Sequence, residues 1–352
     1  MTSDKLFGEG ADAAGVFPLV TRHLSLVTTF VIPPEYAGLA VLASRTHHDP
    51  VDVEILPGDV GRRRYLRLHL TGGKTVLGVV YPPEETDSRL RWNAARAHLR
   101  ERLRVPLLIA DDQQGHQLVE DFGRTDLAGL LAERPQERSV WLDRAAAGAC
   151  AFAEMPDPGI NPPFDASFFR RELDLAREAV FDLWLNQPLS DDDRAAHDLW
   201  ADSLAREIST HPRVVCHRDY HGNNLFPAGA EVGAIDFQDL RSGPDSYDLS
   251  SLLWERTTLD WMTGELAQAV VGAFVGRREL DPKAFQARFD RVLLQRAWKV
   301  CGTFARAVSQ GRGEAYRRYL PAEIRLVGRL LREEAPDASF RRVYDSRLAV
   351  LS

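Results

Sequence analysis

Residues 214–253, VVCHRDYHGNNLFPAGAEVGAIDFQDLRSGPDSYDLSSLL, decide how the rest of the chain is read. The stretch runs from an apolar β-type segment into a polar loop, then a short hairpin, an acidic turn and a helix. His217-Arg218-Asp219 opens the loop, Asn224 follows five residues after the aspartate, and Asp236 ends an apolar run at 232–235. Phosphoryl transfer needs a carboxylate that orients the attacking hydroxyl and accepts its proton, and oxygen ligands that hold Mg2+ on the β- and γ-phosphates. An H-R-D-x-x-x-x-N loop followed by an aspartate at a strand end supplies both from two adjacent turns. Asp219 is the expected base, and Asn224 and Asp236 are the expected metal ligands. Each of them taken singly is an ordinary loop residue. Three at these spacings, bracketed by apolar segments, read together as a site. His217 and His221 read as braces of the loop. Asp248 reads as the N-cap of the following helix or, functionally, as a tie back to the loop.

The 352 residues suffice for two lobes with cores of their own. A balance of 44 basic against 51 acidic residues, net −7, argues against a general nucleic-acid or membrane-surface role. Cys150, Cys216 and Cys301 are isolated, so they read as buried thiols of a reducing compartment rather than a disulfide framework or zinc site. The N-terminus is neither basic nor followed by a signal-type apolar core, and no run approaches a membrane span. The expected location is cytoplasmic. The sequence gives no indication of oligomeric state.

Working outward, residues 1–45 read as an N-terminal extension of unclear role. They hold a β-type run at 24–32 and a short helix over 35–44. The neighbouring His47-His48-Asp49 reads as a solvated turn, since adjacent histidines do not make a metal site alone. Residues 46–122 read as a β-rich nucleotide-binding N-lobe ending in a hinge. Alternation marks strands at 51–56, 64–70 and 75–81; a charged helical segment covers 85–103, and further strands lie at 105–109 and 117–120. This β-β-β-α-β-β order matches the small lobe of a kinase-like fold and puts the catalytic loop about 100 residues past the linker at 120–125. The turn holding Gly58 can approach phosphates through backbone N–H groups, with Arg62-Arg63-Arg64 beside it, guanidinium groups suited to bidentate phosphate binding; the same residues also fit a solvated basic edge strand. Residues 123–352 read as a mainly helical C-lobe with the catalytic loop and acceptor site, with helices at 139–154, 166–184 and 191–208. The expected fold class is α+β, a two-lobed protein-kinase-like fold.

The loop His217-Arg-Asp-Tyr-His-Gly-Asn-Asn224 and the Ile235-Asp236 turn resemble the aminoglycoside phosphotransferase and choline kinase superfamily. Within it the chain resembles the bacterial anomeric kinases for N-acetylmuramate and N-acetylglucosamine of cell-wall recycling. That narrower resemblance rests on Gly58-Asp59 with Arg63-Arg64-Tyr65 and Arg67; on Leu118-Val-Glu-Asp121; on Asp236-Phe-Gln-Asp239 with Gly243-Pro244 and Tyr247-Asp248-Leu249; and on Gln295-Arg296, Lys299-Val300, Gly302 and Phe304-Ala-Arg306. It spans roughly residues 51–321 and leaves the first 45 without a counterpart.

The resemblance implies ATP- and Mg2+-dependent phosphorylation of a small-molecule sugar, plausibly at its anomeric hydroxyl. It implies backbone contacts to adenine at Glu120 to Phe122 and phosphate contacts from Arg63 or Arg64. It also implies acceptor contacts at Gln238 and Asp239, and at Glu172 and Arg306 where these are not simply paired helix charges. Three departures stand out: the strand at 75–81 has no lysine to pair with the phosphates, the loop ends Gly222-Asn223-Asn224, and Trp254-Glu255 replaces an Arg-Asp pair. Two other readings remain open: a kinase for another hydroxylated metabolite or an aminoglycoside, with Asp182, Asp191–Asp193 and Glu255 as an acidic groove, and a nucleotide-binding pseudokinase scaffold. A protein kinase is disfavoured, because no A-P-E-type segment follows the metal turn.

Overall fold

The computed structural model describes residues 31–57, 62–311, 313–333 and 338–351. The run at 24–32 is almost entirely outside them, and so is the Gly58 turn. The first half contains α1 (Ala37–Arg45), β1 (Asp52–Ile55), β2 (Arg64–His69), β3 (Thr75–Val80), α2 (Thr86–Leu99), β4 (Leu108–Asp111) and β5 (His116–Glu120). The strands form one antiparallel sheet in the order β1-β2-β3-β5-β4. Period-two alternation gives the sheet two different faces. Leu66, Leu68, Val76 and Leu118 point to one side and are closed over by Leu39, Leu42 and Ala43 of α1. Covering each leucine stabilises the fold by about 1.5–3 kcal/mol. Gly78 permits the approach, because a Cβ there would stand 2.5 Å from Leu39. Tyr65, Arg67, Leu77 and Val79 point to the other side and roof a cleft.

The strand expected at 105–109 starts later, at Leu108, because Pro106 has no N–H for the ladder. Helix α2 joins the two halves of the molecule: Trp92 stacks on Phe237, the residue after Asp236, with ring centroids 5.4 Å apart.

The second half is helical around two small hairpins. It runs α3 (Leu127–Glu133), α4 (Arg138–Ala153), α5 (Ala166–Arg177), α6 (Asp191–Ser209), β6 (Arg213–Cys216), β7 (Leu225–Ala228), β8 (Glu231–Ala234) and β9 (Arg241–Pro244). It continues with α7 (Tyr247–Leu253), α8 (Gly264–Arg277), α9 (Pro282–Ser309), α10 (Glu314–Arg317), α11 (Leu320–Glu333) and α12 (Ala338–Arg347). β6 pairs with β9 and β7 with β8, both antiparallel. The acidic turn that precedes the last helix of the opening stretch is therefore partly strand, since β9 takes in Ser242 to Pro244. The helix expected over 166–184 is α-helical only to Arg177 and then widens into a π-helix at Glu178–Trp184, with Leu185 N–H donating to the Val180 carbonyl five residues back. Ala179, Val180 and Phe181 are buried there, and Phe181 meets Trp298 of α9. Helix α9 packs against α5, α7 and α11. Among the described residues no helix is long and apolar enough to cross a membrane.

Candidate active site

The cleft between the sheet and the helical half has a volume of about 460 Å³. Leu77 and Val79 of β3, Arg63, Tyr65 and Arg67 on or beside β2, and the stretch from Val119 to Gly123 form one wall; Asn224, Phe226, Ile235, Asp236 and Gln238 form the other. At the outer end of the sheet, Glu120 turns its carboxylate onto Arg104 and the Leu107 amide. Its own N–H donates to the Leu107 carbonyl. The Phe122 N–H has no protein partner among the described residues. The cleft thus meets the backbone, not the charge, of this segment.

Strand alternation separates the arginines. Arg67 faces the cleft but is consumed by Asp121, with Nε 2.6 Å from Oδ2, and by the Gly123 carbonyl at 2.9 Å. Arg63 faces it with capacity to spare, 3.1 Å from Glu85 and 3.5 Å from Asp236. Arg64 points away on the opposite side of the strand and is exposed, so it does not join Arg63 at the cleft. Gly58 lies outside the described residues. The positions of β3 that face the cleft are apolar, and Arg63 is a cation that lines it, with Glu85 at the start of α2 as its carboxylate partner.

Asp236 ends β8's extension with a left-handed backbone, φ 62°. Its carboxylate is partly exposed toward the cleft, and the Gln238 amide donates to Oδ1 at 2.8 Å. Gln238 is itself buried and has an unpartnered Oε1. Its amide nitrogen thus orients Asp236, while the residue itself also lines the cleft. Asn224 spends its amide N–H on the Asp219 carbonyl at 2.9 Å, and its backbone carbonyl accepts from Ile235 N–H. Both Asp236 and Asn224 line the cleft. A carboxylate and an amide oxygen on one cleft wall, with an adjacent donor fixing the carboxylate, suit a hard dication such as Mg2+.

The catalytic loop is clamped from below. Asp248 accepts from His217 N–H at 2.6 Å and Arg218 N–H at 3.0 Å. It is not the N-cap, since Ser246 precedes the helix and Asp248 lies within its first turn, its carboxylate turned back to the loop. His217 Nε2–H donates to the Ile235 carbonyl at 2.8 Å, tying the two functional turns together. His221 braces with its backbone, through its N–H to the Asp219 carbonyl and its carbonyl to Asn224 N–H. Burial pushes its imidazole down to about 3, so the ring is neutral. Asn223 bridges the Asp126 cap of α3 and Arg256.

Arg218 has φ 82°, a conformation that costs a non-glycine residue about 1–3 kcal/mol. It is held by Asp248 and by the fully buried Arg296, whose guanidinium donates to the Arg218 carbonyl at 3.0 Å and to Ser251 Oγ at 2.7 Å. Arg218's own guanidinium reaches Asp239 at 3.2 Å and Glu172 at 3.8 Å. Glu172 is buried and accepts from the Gln295 amide at 2.8 Å. Lys299 Nζ stands 3.7 Å from Asp219 Oδ1. Burial raises the Asp219 pKa, but Lys299, Arg218 and Arg296 outweigh it and hold the carboxyl well below the usual range.

Gln295, Lys299, Gly302 and Arg306 form one stripe of α9, at i, i+4, i+7 and i+11. The stripe faces Glu172, Asp219, Ala176 and Glu178 in turn. Arg306 lies two turns, about 10 Å, beyond Lys299. Its contact is Glu178 at 3.8 Å, so it is not brought to Asp219. Glu172 and Asp239 instead converge on the guanidinium of Arg218, the residue before Asp219. The carboxylates named as an acidic groove do not assemble: Asp182 pairs with Arg177, Asp193 with Arg347, and buried Glu255 bonds Thr257. The sequence reading quoted Arg218, Arg296 and Lys299 within its motifs but gave them no role at the site, and it passed over Glu85. For Arg296 a signal existed, a charged residue on the apolar face of a helix that otherwise reads as core.

Residues 52–287 match the APH phosphotransferase enzyme family. The chain is 27% identical to an N-acetylmuramate/N-acetylglucosamine kinase of Neisseria meningitidis serogroup B, over 81% of this chain and 87% of that protein. It is 29% identical to a kinase of the same name from Pseudomonas aeruginosa, over 72% and 76%. Among solved structures it resembles the gentamicin-APH(2″)-IIa complex, with TM-score 0.59 and 13% identity over 88% of this chain and 98% of that one. It also resembles amicoumacin kinase hAmiN in complex with AMP-PNP, Ca2+ and Ami, with TM-score 0.58 and 15% identity over 90% and 95%. These structural likenesses extend over both halves of the fold.

Proposed function

Because the chain belongs to the phosphotransferase enzyme family, we propose that it moves the γ-phosphate of ATP, with Mg2+, onto a sugar hydroxyl. The acceptor we infer is an N-acetylated amino sugar, N-acetylmuramate or N-acetylglucosamine, taken at its anomeric hydroxyl. The observation that carries this reading is that the Asp219 loop is joined by Asn224 Nδ2 and by His217 Nε2, which bonds the Ile235 carbonyl, to the turn holding Asp236, with Asn224 and Asp236 lining the cleft. The names of relatives matched over most of their length support the acceptor.

On this reading adenine enters between Leu77 and Val79 above and Phe226 and Ile235 below, with the Phe122 N–H as an available donor. Arg63 meets the phosphates. Asp236 and Asn224 would hold the metal, whose charge would neutralise the β- and γ-phosphate oxygens. Asp219 hydrogen-bonds the acceptor hydroxyl, aligns its oxygen for in-line attack and takes the proton as the new bond forms. A carboxylate held so far below its usual range is a weak base, and it suits an anomeric hydroxyl, which is more acidic than an ordinary alcohol.

The test is ATP-dependent phosphorylation followed by 31P NMR across N-acetylmuramate, N-acetylglucosamine, glucosamine, choline and kanamycin, with Asp219→Asn as control. A sugar 1-phosphate signal from the N-acetylated sugars, absent in the variant, is the expected result. Transfer only to choline or kanamycin would overturn the acceptor, and undiminished transfer by the variant would overturn the base.

A further inference from the structure

We propose that Lys299 is a catalytic cation on the acceptor side of Asp219: its ammonium shares the acceptor oxygen with the Asp219 carboxylate and stabilises the charge on that oxygen and the incoming phosphoryl group. The inference rests on the reading of Asp219 as the base.

The geometry that points to it is a pair held apart. Lys299 Nζ and Asp219 Oδ1 are 3.7 Å apart, whereas a closed N+–H···O− bond is about 2.8 Å. A flexible four-carbon stem has every freedom to close that gap. The two side chains are 20% and 31% exposed, so the space between them opens outward. The Lys299 ammonium donates no hydrogen bond among the described residues, and Asp219 is its one carboxylate neighbour there. A mostly shielded ammonium with unspent donors is costly unless a ligand uses them.

The neighbouring guanidinium groups each already meet an acceptor, although Arg218 and Arg296 each keep one unpartnered Nε. Arg218 serves Asp239 and Glu172, and Arg296 serves the Arg218 carbonyl and Ser251. Arg241 donates to the Asp239 carbonyl. On the nucleotide side, Arg63 answers to Glu85 and Asp236. Neither Lys299 nor Asp219 is among the residues lining the cleft, so the pair stands beside the space read as the nucleotide's, where an acceptor would meet the base.

In the transfer step the acceptor O–H proton goes to Asp219 and the acceptor oxygen bonds to the γ-phosphorus. The bond to the β,γ-bridging oxygen breaks, and its electron pair leaves with the nucleoside diphosphate. Lys299 keeps its proton and donates a hydrogen bond to the acceptor oxygen throughout.

The experiment compares K299A, K299Q, K299R and D219N, using N-acetylmuramate and N-acetylglucosamine as acceptors and Mg2+·AMP-PNP for nucleotide binding. The expected result is a loss in kcat of about 10²–10³-fold in K299A and K299Q, the usual cost of deleting one donor to developing charge. AMP-PNP affinity and the KM for ATP stay within about threefold. Ethylammonium restores K299A activity at least tenfold, tetramethylammonium at equal ionic strength does not, and K299R keeps more activity than K299A. Near-normal kcat in K299A or K299Q overturns the proposal. So does a loss that neither arginine nor ethylammonium relieves while nucleotide binding is native. Should the wild-type protein phosphorylate neither sugar, the acceptor reading fails by itself; the same ranking and rescue are then expected for γ-phosphate transfer to water, and their absence overturns Lys299.

Discussion

Glu323 of α11 is a carboxyl whose two oxygens are fully buried and accept no hydrogen bond among the described residues. Burial, reinforced by Glu255 and only partly offset by Arg296 and Arg256, pushes its pKa up to about 8 from an ordinary 4.5. The folded state therefore holds a proton that the unfolded chain has released. Stability from this proton is complete below about pH 4.5 and is lost as pH rises toward 8. Glu323→Gln, permanently neutral, is expected to match the wild type near pH 5 and exceed it by a few kcal/mol at pH 8.5. Urea unfolding at both pH values reads this directly, and parallel stability curves would refute it. The same thinking separates the two kinds of carboxylate in the molecule. Asp219 sits among cations and stays charged, whereas Glu323 sits beyond them, next to another acid, and does not.

At the scale of elements, the position of Lys299 depends on how closely α9 can approach α5. Gly302 makes that contact: a Cβ there would fall 2.3 Å from Ala176 Cα and 2.7 Å from its Cβ. The listener on one side is backbone, so a helix must shift. Gly302→Ala should cost about 1–3 kcal/mol in chemical denaturation, the usual range for overpacking. It should also lower kcat more than it raises the KM for ATP, because the displaced stripe carries Lys299 and Gln295 while the nucleotide cleft is built elsewhere. An unchanged kcat at a lowered melting temperature would detach α9's placement from the chemistry. Elements of this kind define what the sequence could reveal. The strands at 64–70 and 75–81 and the loop from His217 to Asn224 were legible, because alternation and spacing are local. Arg63 and Arg64 were adjacent and equivalent as letters, and only the strand's two faces tell them apart. Asp248 looked like a cap because caps are local, yet its carboxylate serves amides 30 and 31 residues away. Lys299 stood within the family resemblance but without a role, since its partner lies on a loop 80 positions earlier in the chain.

Over the whole molecule, the proposed function divides along the cleft: the sheet and the stretch from Val119 to Gly123 would meet the nucleotide, the helical half carries Asp219 and the cations around it, and α2 with its Trp92–Phe237 stack couples the two. The sheet is therefore a working surface on one side only, and the other side has a fixed lining in α1. The family match begins at residue 52, after that lining has ended at Arg45. A gene begun at residue 52, with the rest of the chain intact, would keep the candidate active-site residues described above but would leave Leu66, Leu68, Val76 and Leu118 as one bare greasy patch. Such a polypeptide is expected to collect in inclusion bodies, whereas one beginning at residue 31 is expected in the soluble fraction of a lysate; equal yields of both would contradict this. For anyone dissecting the enzyme, the boundary of recognisable kinship and the boundary of a chain that survives in a cell are different places, about 15 residues apart by the spacing of Ala37 and Asp52.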